Sequence, residues 1–410
     1  MKRVVVTGMG VITSLGNDWP TFSSALREGR SGIQVMPEWD CYPDLNTRLA
    51  GPVSDFVVPD HYSRKQLRSM GRLAQMATRA SELAIIDAGL LEDPVLTSGD
   101  MGVSYGSSYG SVDAVLDFVE MLEHQSMSRL TATTYIRMMG HTGPVNVGVF
   151  FGLRGRIITT SSACTAGSQG IGSAYEAIKY GKQKVMVAGG SEELSPAGAA
   201  IFDTLYATST KNDTPNLTPR PFDQDRDGLV IGEGAGSLIL EEMEHAIGRG
   251  ATIYAELIGY GTNSDGGHVT QPNAETMGKA MELALEDAAI APDAVGYISA
   301  HGTATDRGDL AESIATAKLF GNKIPFSTLK GNLGHTLGAC GAVEAWATIH
   351  MMNEGWFAPT LNLDTPDSAC GDLAYIIGSE HKADCEYVVT NNFAFGGINT
   401  SLIFKRFDKQ

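Results

Sequence analysis

The feature that most constrains this chain is an alternation. Runs dense in Val and Ile (RVVVTG, MGVSYG, RIITTSS, KVMVAGGSEE, GSLILEEM, VGYISAHGTA, KIPFSTL, EYVVTNNFAFGG, TSLIFKR) are separated by Ala-rich stretches with apolar residues at helical spacing. Examples of the latter are RLAQMATRASELAIIDAGL, QGIGSAYEAIKYG, AETMGKAMELALEDAAI, GDLAESIATAKLFG and GAVEAWATIHMMNEG. Strand and helix periods that trade places in this way predict an α/β protein. Many strand runs end in glycine. In such sheets ligands gather beyond the carboxyl ends of the strands, where glycine lets backbone come close to them.

Composition narrows the class. At 410 residues with 43% hydrophobic and 19% charged residues, the chain reads as globular, with length for a large core or two fused units. No run of about 18 uncharged apolar residues is present, so no membrane span is expected. The opening MKRVVVTGMGVITSLG superficially resembles a signal peptide, but VVVT followed by GMG reads as a strand and tight turn, which places the protein in the cytoplasm. Five cysteines without a C-x-x-C pair argue against a disulfide framework or structural zinc. A formal net charge of −17 argues against nucleic acid as partner, since phosphate binding needs clustered Lys and Arg.

The order strand, small-residue turn, helix, strand occurs twice, in RIITTSSACTAGSQGIGSAYEAIKYGKQKVMVAGG and in KIPFSTLKGNLGHTLGACGAVEAWATIHMMNEG with the later YVVTNNFAFGG. This suggests two related halves, 1–250 and 251–410, in one compact body without a Gly/Ser or Pro-rich linker. The turn-rich segment 209–228 is expected to be a surface loop.

Cys164, in SSACTAG, stands just before a helix, where the macrodipole and free N–H groups favour a thiolate. Its small neighbours keep space open around the sulfur. That turn alone leaves two readings, nucleophile or apolar filler, since free cysteines are mostly buried and inert. His301 in SAHGTATDRGDLAE and His335 in LKGNLGHTLGACG, with Lys330 beside it, occupy similar glycine-rich turns. A thiol and two imidazoles at three such turns suggest a shared site. In TNNFAFGG the aromatics Phe393 and Phe395 would face one side if extended, and Gly396 and Gly397 free backbone N–H groups for a developing oxyanion. Asp223, Asp225, Asp227 and Glu233 lack the spacing of an EF-hand, and no metal site is expected.

These motifs together resemble the β-ketoacyl-acyl carrier protein synthases, the elongating type II condensing enzymes of the thiolase-like superfamily. The resemblance runs from RVVVTGMGVITSLG through SSACTAG, AGGSEE, PFDQDRDGLVIGEGAG, HGTATDRGDLAE and LKGNLGHTLGACG to NNFAFGGINTSLIFKR. It implies a five-layered αβαβα fold of two similar halves, a dimer, and a pantetheine tunnel to the site. The N-terminal half would then carry the nucleophile and the C-terminal half both histidines. Cys164 would be acylated, and His301 and His335 would serve decarboxylation of a malonyl thioester. Lys330, Glu312 and Asp309 would support the site, and Thr303 and Thr305 would contact pantetheine. Phe393 and Phe395 would gate it, and the N–H groups of Cys164 and Phe395 would form the oxyanion hole. No cofactor is implied, because the acyl carrier protein brings the phosphopantetheine.

Carrier proteins are acidic, so docking is assigned to Arg64, Lys65, Arg68 and Arg72 with Arg129. The competing reading of that segment is an ordinary solvated helix face. Tyr109, in YGSSYGS, falls where relatives usually have a small or aliphatic residue near the acyl pocket. This hints at a specialised polyketide or aryl-polyene ketosynthase, with either an identical partner or a chain-length-factor paralogue. A thiolase would lack the HGTATDRGD and GNLGH pair, and a non-catalytic chain-length factor would lack the nucleophile. No carrier domain follows, which suggests a stand-alone enzyme.

Overall fold

The computed structural model describes residues 1–407. Eleven strands form one continuous sheet. They are β1 (Val4–Ile12), β2 (Met101–Gly106), β3 (Ile157–Thr159), β4 (Val185–Glu192), β5 (Gly234–Glu242), β6 (Ala255–Ser264), β7 (Val295–Ser299), β8 (Pro325–Ser327), β9 (Ala374–Tyr375), β10 (Tyr387–Ala394) and β11 (Ile398–Arg406). Their order is β9-β8-β7-β10-β11-β6-β1-β5-β4-β2-β3.

That order contains the same five-strand pattern twice. From the edge inward, β3-β2-β4-β5-β1 uses its strands in chain order third, second, fourth, fifth, first, and β8-β7-β10-β11-β6 does the same. Directions match too. The first three strands of each set are parallel, and the fourth and fifth neighbours are antiparallel. The sets meet where Val4, Val5 and Val6 of β1 pair antiparallel with Leu257, Glu256 and Ala255 of β6.

Helices fill the faces: α1 (Arg72–Asp87), α2 (Val112–His124), α3 (Thr142–Phe151), α4 (Ala166–Lys179), α5 (Ala274–Ala288), α6 (Asp306–Phe320) and α7 (Cys340–Glu354), of which α2 and α3 were not anticipated from the apolar spacing. The helices α1 and α3 cover the outer face of the first set, α5 and α6 that of the second, and α4 and α7 lie between. The result is the five-layered αβαβα arrangement. The middle pair is buried on all sides, which is why their sequences carry small residues. A Cβ on Gly170 of α4 would come within 2.5 Å of the Gly189 carbonyl oxygen on β4. The main core joins Val4, Ile171, Met186 and Leu238 to Trp346, Val388 and Leu402 across both sets.

Two expectations need correction. The strands anticipated in RIITTSS and KIPFSTL shrink to three residues each, because the chain leaves the sheet early to build the catalytic turns. The segment 209–228 is a tucked-in strap, with Ser209, Thr218, Phe222 and Asp223 buried. The Asp223 carboxylate explains this. It accepts the N–H groups of Asp225 (2.9 Å), Asp364 (2.8 Å) and Thr365 (2.9 Å) and pairs with Arg220. Those partners use its lone pairs in tying the strap to the body.

Candidate active site

The three turns expected to carry chemistry meet between the half-sheets. After β3 the chain reaches Ala163 at φ 52°, makes one 3-10 turn over Ala163–Thr165 and enters α4. The left-handed residue sharpens the corner and turns the Cys164 side chain towards the C-terminal half. Its Sγ lies 2.9 Å from His335 Nε2. The Cys164 and Phe395 backbone N–H groups both face the sulfur and favour its charged form. The second comes from the turn that follows β10, where Gly396 and Gly397 take φ 88° and 70°. A side chain at either would be strained, so glycine is what aims this N–H.

The thiol is not the stabilised thiolate that a helix N-terminus suggested. Burial pushes Cys164 up to about 12, Glu192 adds to this, and Lys330 with the two N–H groups opposes it only in part. Desolvation of sulfur outweighs the macrodipole here. Cys164 rests as a thiol.

His301 follows β7. Its N–H and that of Gly302 donate to the two oxygens of Glu312, each at 2.7 Å. Asp309 fixes the next stretch, accepting from Ala304 N–H (3.0 Å) and Phe222 N–H (2.6 Å). These two carboxyls act on backbone and not on the reacting atoms. Burial raises them to about 8 for Glu312 and about 6 for Asp309, with the N–H bonds opposing.

The imidazole tautomers follow from their partners. His301 Nδ1 receives Lys330 Nζ at 3.2 Å and Asn392 Nδ2 at 3.4 Å, and His335 Nδ1 receives Leu337 N–H at 3.3 Å. With both Nδ1 atoms accepting, both neutral rings carry their proton on Nε2. Burial holds both histidines well below their ordinary range, and the Lys330 cation reinforces it. The rings cross edge to face at 5.0 Å.

Lys330 is buried and ion-paired with Glu344 of α7, whose other oxygen accepts Asn392 Nδ2 at 2.7 Å. Although burial opposes its charge, Glu344 keeps Lys330 above the ordinary lysine value. Glu344 and Asn392 were missed in the sequence. One signal existed for Glu344: it is the single carboxylate inside the apolar stretch GAVEAWATIHMM, four residues after Cys340.

Potential ligand atoms of Cys164, His301 and His335 lie within 4.8 Å of one another. Two ligands of one tetrahedral zinc, at about 2.3 and 2.0 Å from the metal, would stand about 3.5 Å apart. The 2.9 Å sulfur–nitrogen contact is therefore a hydrogen bond and not a shared metal.

All three open onto a cavity of about 560 Å³, also lined by Thr303, Thr305, Phe393 and Phe395. The threonine hydroxyls are 2.9 Å apart. The two aromatics do different things. Phe393 is 6% exposed and packed in the C-terminal core, so it has no room to gate. Phe395 is 36% exposed and leans on Phe202 at 5.3 Å.

Other assigned residues fall elsewhere. Tyr109 is not among the lining residues of this cavity. Its hydroxyl meets Ser195 Oγ at 3.2 Å, and its neighbour Ser108 shares the Glu192 carboxylate with Gly338 through N–H bonds of 2.8 and 3.0 Å. Arg64, Lys65 and Arg68 are exposed on and beside a single helical turn, Arg64–Leu67. Arg72 is withdrawn from that patch, because a bidentate pair with Glu233 (2.7 and 2.8 Å) and a bond to Val53 O commit its guanidinium inward. Arg129 is answered by Glu120 of α2.

Known proteins resemble this chain along its whole length. Residues 1–246 match the N-terminal domain of Beta-ketoacyl synthase, and residues 254–364 match its C-terminal domain. The chain is 40% identical to 3-oxoacyl-acyl-carrier-protein synthase 2 of Vibrio harveyi, over 99% of both chains. A crystal structure of a Beta-ketoacyl synthase from Burkholderia phymatum STM815 superposes with a TM-score of 0.99 at 58% identity, covering 100% of both chains. A type II polyketide synthase acyl-carrier protein in complex with its ketosynthase, bound to the hexaketide, gives a TM-score of 0.87 at 31% identity, over 99% of this chain and 100% of that one. A doubled five-strand pattern, a cysteine–histidine–histidine centre between the halves, matches to both domains and a relative 40% identical over 99% of both chains together show that this chain belongs to the β-ketoacyl synthase family.

Proposed function

We propose that Cys164, His301 and His335 carry the decarboxylative Claisen condensation of this β-ketoacyl synthase, extending an acyl chain by two carbons from a malonyl group on an acyl carrier protein. The observation that supports this best is the pair of Nε2–H imidazoles, one of them 2.9 Å from the Cys164 sulfur.

Cys164 sulfur attacks the incoming acyl thioester, and its proton leaves with the pantetheine thiol. The oxyanion forms against the Cys164 and Phe395 N–H groups. Malonyl thioester then loses CO2, and its enolate oxygen accepts hydrogen bonds from His301 and His335, each worth about 3–4 kcal/mol at such a centre. Imidazolium ions would quench the carbanion by protonation, so neutrality of both rings is useful. The carbanion attacks the acyl-Cys164 carbonyl, the sulfur leaves, and a proton from solvent restores the thiol. Lys330 keeps His301 Nδ1 an acceptor and thus its proton on Nε2. These steps need no resident cofactor.

Thr303 and Thr305 hold the pantetheine amides in this reading, Phe395 gates the entrance, and 1–250 and 251–410 are the working halves. The carrier protein docks on Arg64, Lys65 and Arg68. A second copy covers the edge strand β3 and the helix α3 packed beside it, where Ile157 and Val149 are 48 and 74% exposed. An open edge with apolar neighbours is a self-pairing surface. Cysteines left free and scattered fit a cytoplasmic site, and among the described residues no helix is long and apolar enough to cross a membrane. Tyr109 lies outside the lining of the active-site cavity, so it limits the acyl chain only where the chain extends beyond it; product lengths from Tyr109→Gly test that, and an unchanged distribution removes it.

The deciding experiment is intact-mass measurement after incubation with a panel of acyl carrier proteins. Acyl adducts on the native chain that vanish in Cys164→Ala support the reading. Adducts that persist in that variant overturn it.

A further inference from the structure

The segment His301–Arg307 climbs from the floor of the cavity to its mouth. His301 is 5% exposed and Thr303 9%, whereas Thr305 is half-buried and Arg307 is exposed. All four line the same 560 Å³ cavity. A ligand that binds at the imidazoles and leaves along the threonines meets Arg307 at the exposed end of this segment.

The charges around the mouth single out this guanidinium. Arg226 is consumed by Asp367 at 2.6 Å and Asp306 at 3.2 Å. Asp227 accepts from Ser209 at 3.0 Å and faces Lys211 at 3.6 Å, and Asp265 accepts from Asn399 at 2.7 Å. Among the described residues Arg307 has no partner. Asp306, its chain neighbour, is already turned to Arg226, so nothing local neutralises it. On a chain of net charge −17, an unpaired cation at a cavity mouth offsets the repulsion an anionic ligand would otherwise meet there.

We propose that Arg307 receives the phosphodiester of the phosphopantetheine arm, so that this enzyme distinguishes phosphorylated from unphosphorylated pantetheine thioesters. The inference rests on the condensing reading above. The arm has its thioester at one end, two amides in the middle and the phosphate at the other. The segment presents its groups in that order: an imidazole, two hydroxyls 2.9 Å apart, then a guanidinium. Arginine suits the last position because its planar fork can give two N–H bonds to one phosphate.

The test compares Cys164 acylation by two small donors without carrier protein, an acyl-phosphopantetheine and the same acyl-pantetheine lacking phosphate. The native enzyme is expected to show a KM about 5–10-fold lower for the phosphorylated donor at low salt, with the ratio shrinking as ionic strength rises. Arg307→Ala should bring the ratio to near one, and Arg307→Lys should restore part of it. Equal KM values in the native enzyme, or a ratio unchanged by Arg307→Ala, overturn the proposal. So does an Arg307→Ala effect seen only with carrier-bound substrate, since the contact would then be to acidic side chains of the carrier. Failure of both donors to acylate Cys164 would remove the condensing reading itself, a separate outcome.

Discussion

The Cys164 turn and the His335 turn are the same device put to two uses. Each leads from a three-residue strand to a 3-10 turn and on into a buried central helix, α4 or α7, the second with the helical turn Lys330–Leu333 interposed. Each is sharpened by a non-glycine residue in the left-handed region, Ala163 at φ 52° and Leu337 at φ 45°. Laid side by side, Ala163 matches Leu337, Cys164 matches Gly338, and Gly170 matches Glu344. The first turn offers a sulfur to the cavity. At that position the second has Gly338, whose N–H bonds Glu192 and which supplies its imidazole from three residues earlier. The helices diverge likewise: Gly170 lets α4 touch the sheet backbone, whereas Glu344 holds the buried Lys330. Duplication supplied the scaffold, and changes at matched positions separated nucleophile from proton-holding groups.

The sharpest way to break this comparison is to empty the first turn. Cys164→Ala should lower condensation by at least about 10³-fold, yet leave malonyl-carrier decarboxylation, because the enolate donors sit on the other turn. Measuring CO2 release alongside product formation checks this, and loss of both would mean that the turns act as one unit.

Next in size is the Lys330–Glu344 pair, which has no counterpart beside α4. Glu344→Ala strands a buried ammonium and should cost about 3–5 kcal/mol of stability in denaturant unfolding. Glu344→Gln should cost less, since it keeps an acceptor for Lys330.

Gly338→Ala asks whether the second turn could host a side chain at the nucleophile position. Its Cβ would come within 2.7 Å of Ser107 Cα and 2.9 Å of Glu192 Oε2. Overpacking of this kind costs about 1–3 kcal/mol. A larger fall in kcat than in stability would show that Glu192 and Gly338 together position His335.

The pH dependence separates the two chemistries. His301 and His335 have folded values below the unfolded one, so the unfolded chain takes up protons first, and stability is lost as pH falls below about 6.5. Each should steepen ΔG against pH by about 1.4 kcal/mol per unit there, and replacing either with Asn should remove its share. Cys164 has the opposite arrangement. Its raised value favours the folded state below about 9, and that contribution is lost as pH rises towards about 12.

The smallest effect concerns the surface. Reversing Arg64, Lys65 and Arg68 to Glu should raise KM for the carrier protein several-fold and leave small thioesters unaffected, as screened surface charges allow. Arg72→Ala should instead lower Tm, because its guanidinium closes the buried Glu233 carboxylate.

Much of this was legible in the chain itself. The alternating periods announced the layers, and the repeated strand-turn-helix order announced the duplication. The residues at glycine-rich strand ends named Cys164, His301 and His335. Phe393 and Phe395 were indistinguishable in sequence, since one residue of spacing says nothing of what packs behind each. Arg72 looked like its basic neighbours because its partner, Glu233, is 161 positions away. The strap 209–228 looked like a surface loop because the backbone groups Asp223 binds lie near Thr365.

Residue order sets which chemical groups are present, in which turns, and the periodicity that stacks those turns at one end of a sheet. Their protonation states arise only in the folded arrangement. That Cys164 is a thiol, that both imidazoles keep their protons on Nε2, and that Lys330 stays charged all depend on burial and on partners brought from distant segments. Local spacing selects the elements, but desolvation and hydrogen-bond partnership are set by what lies opposite after folding, and these fix where each proton resides.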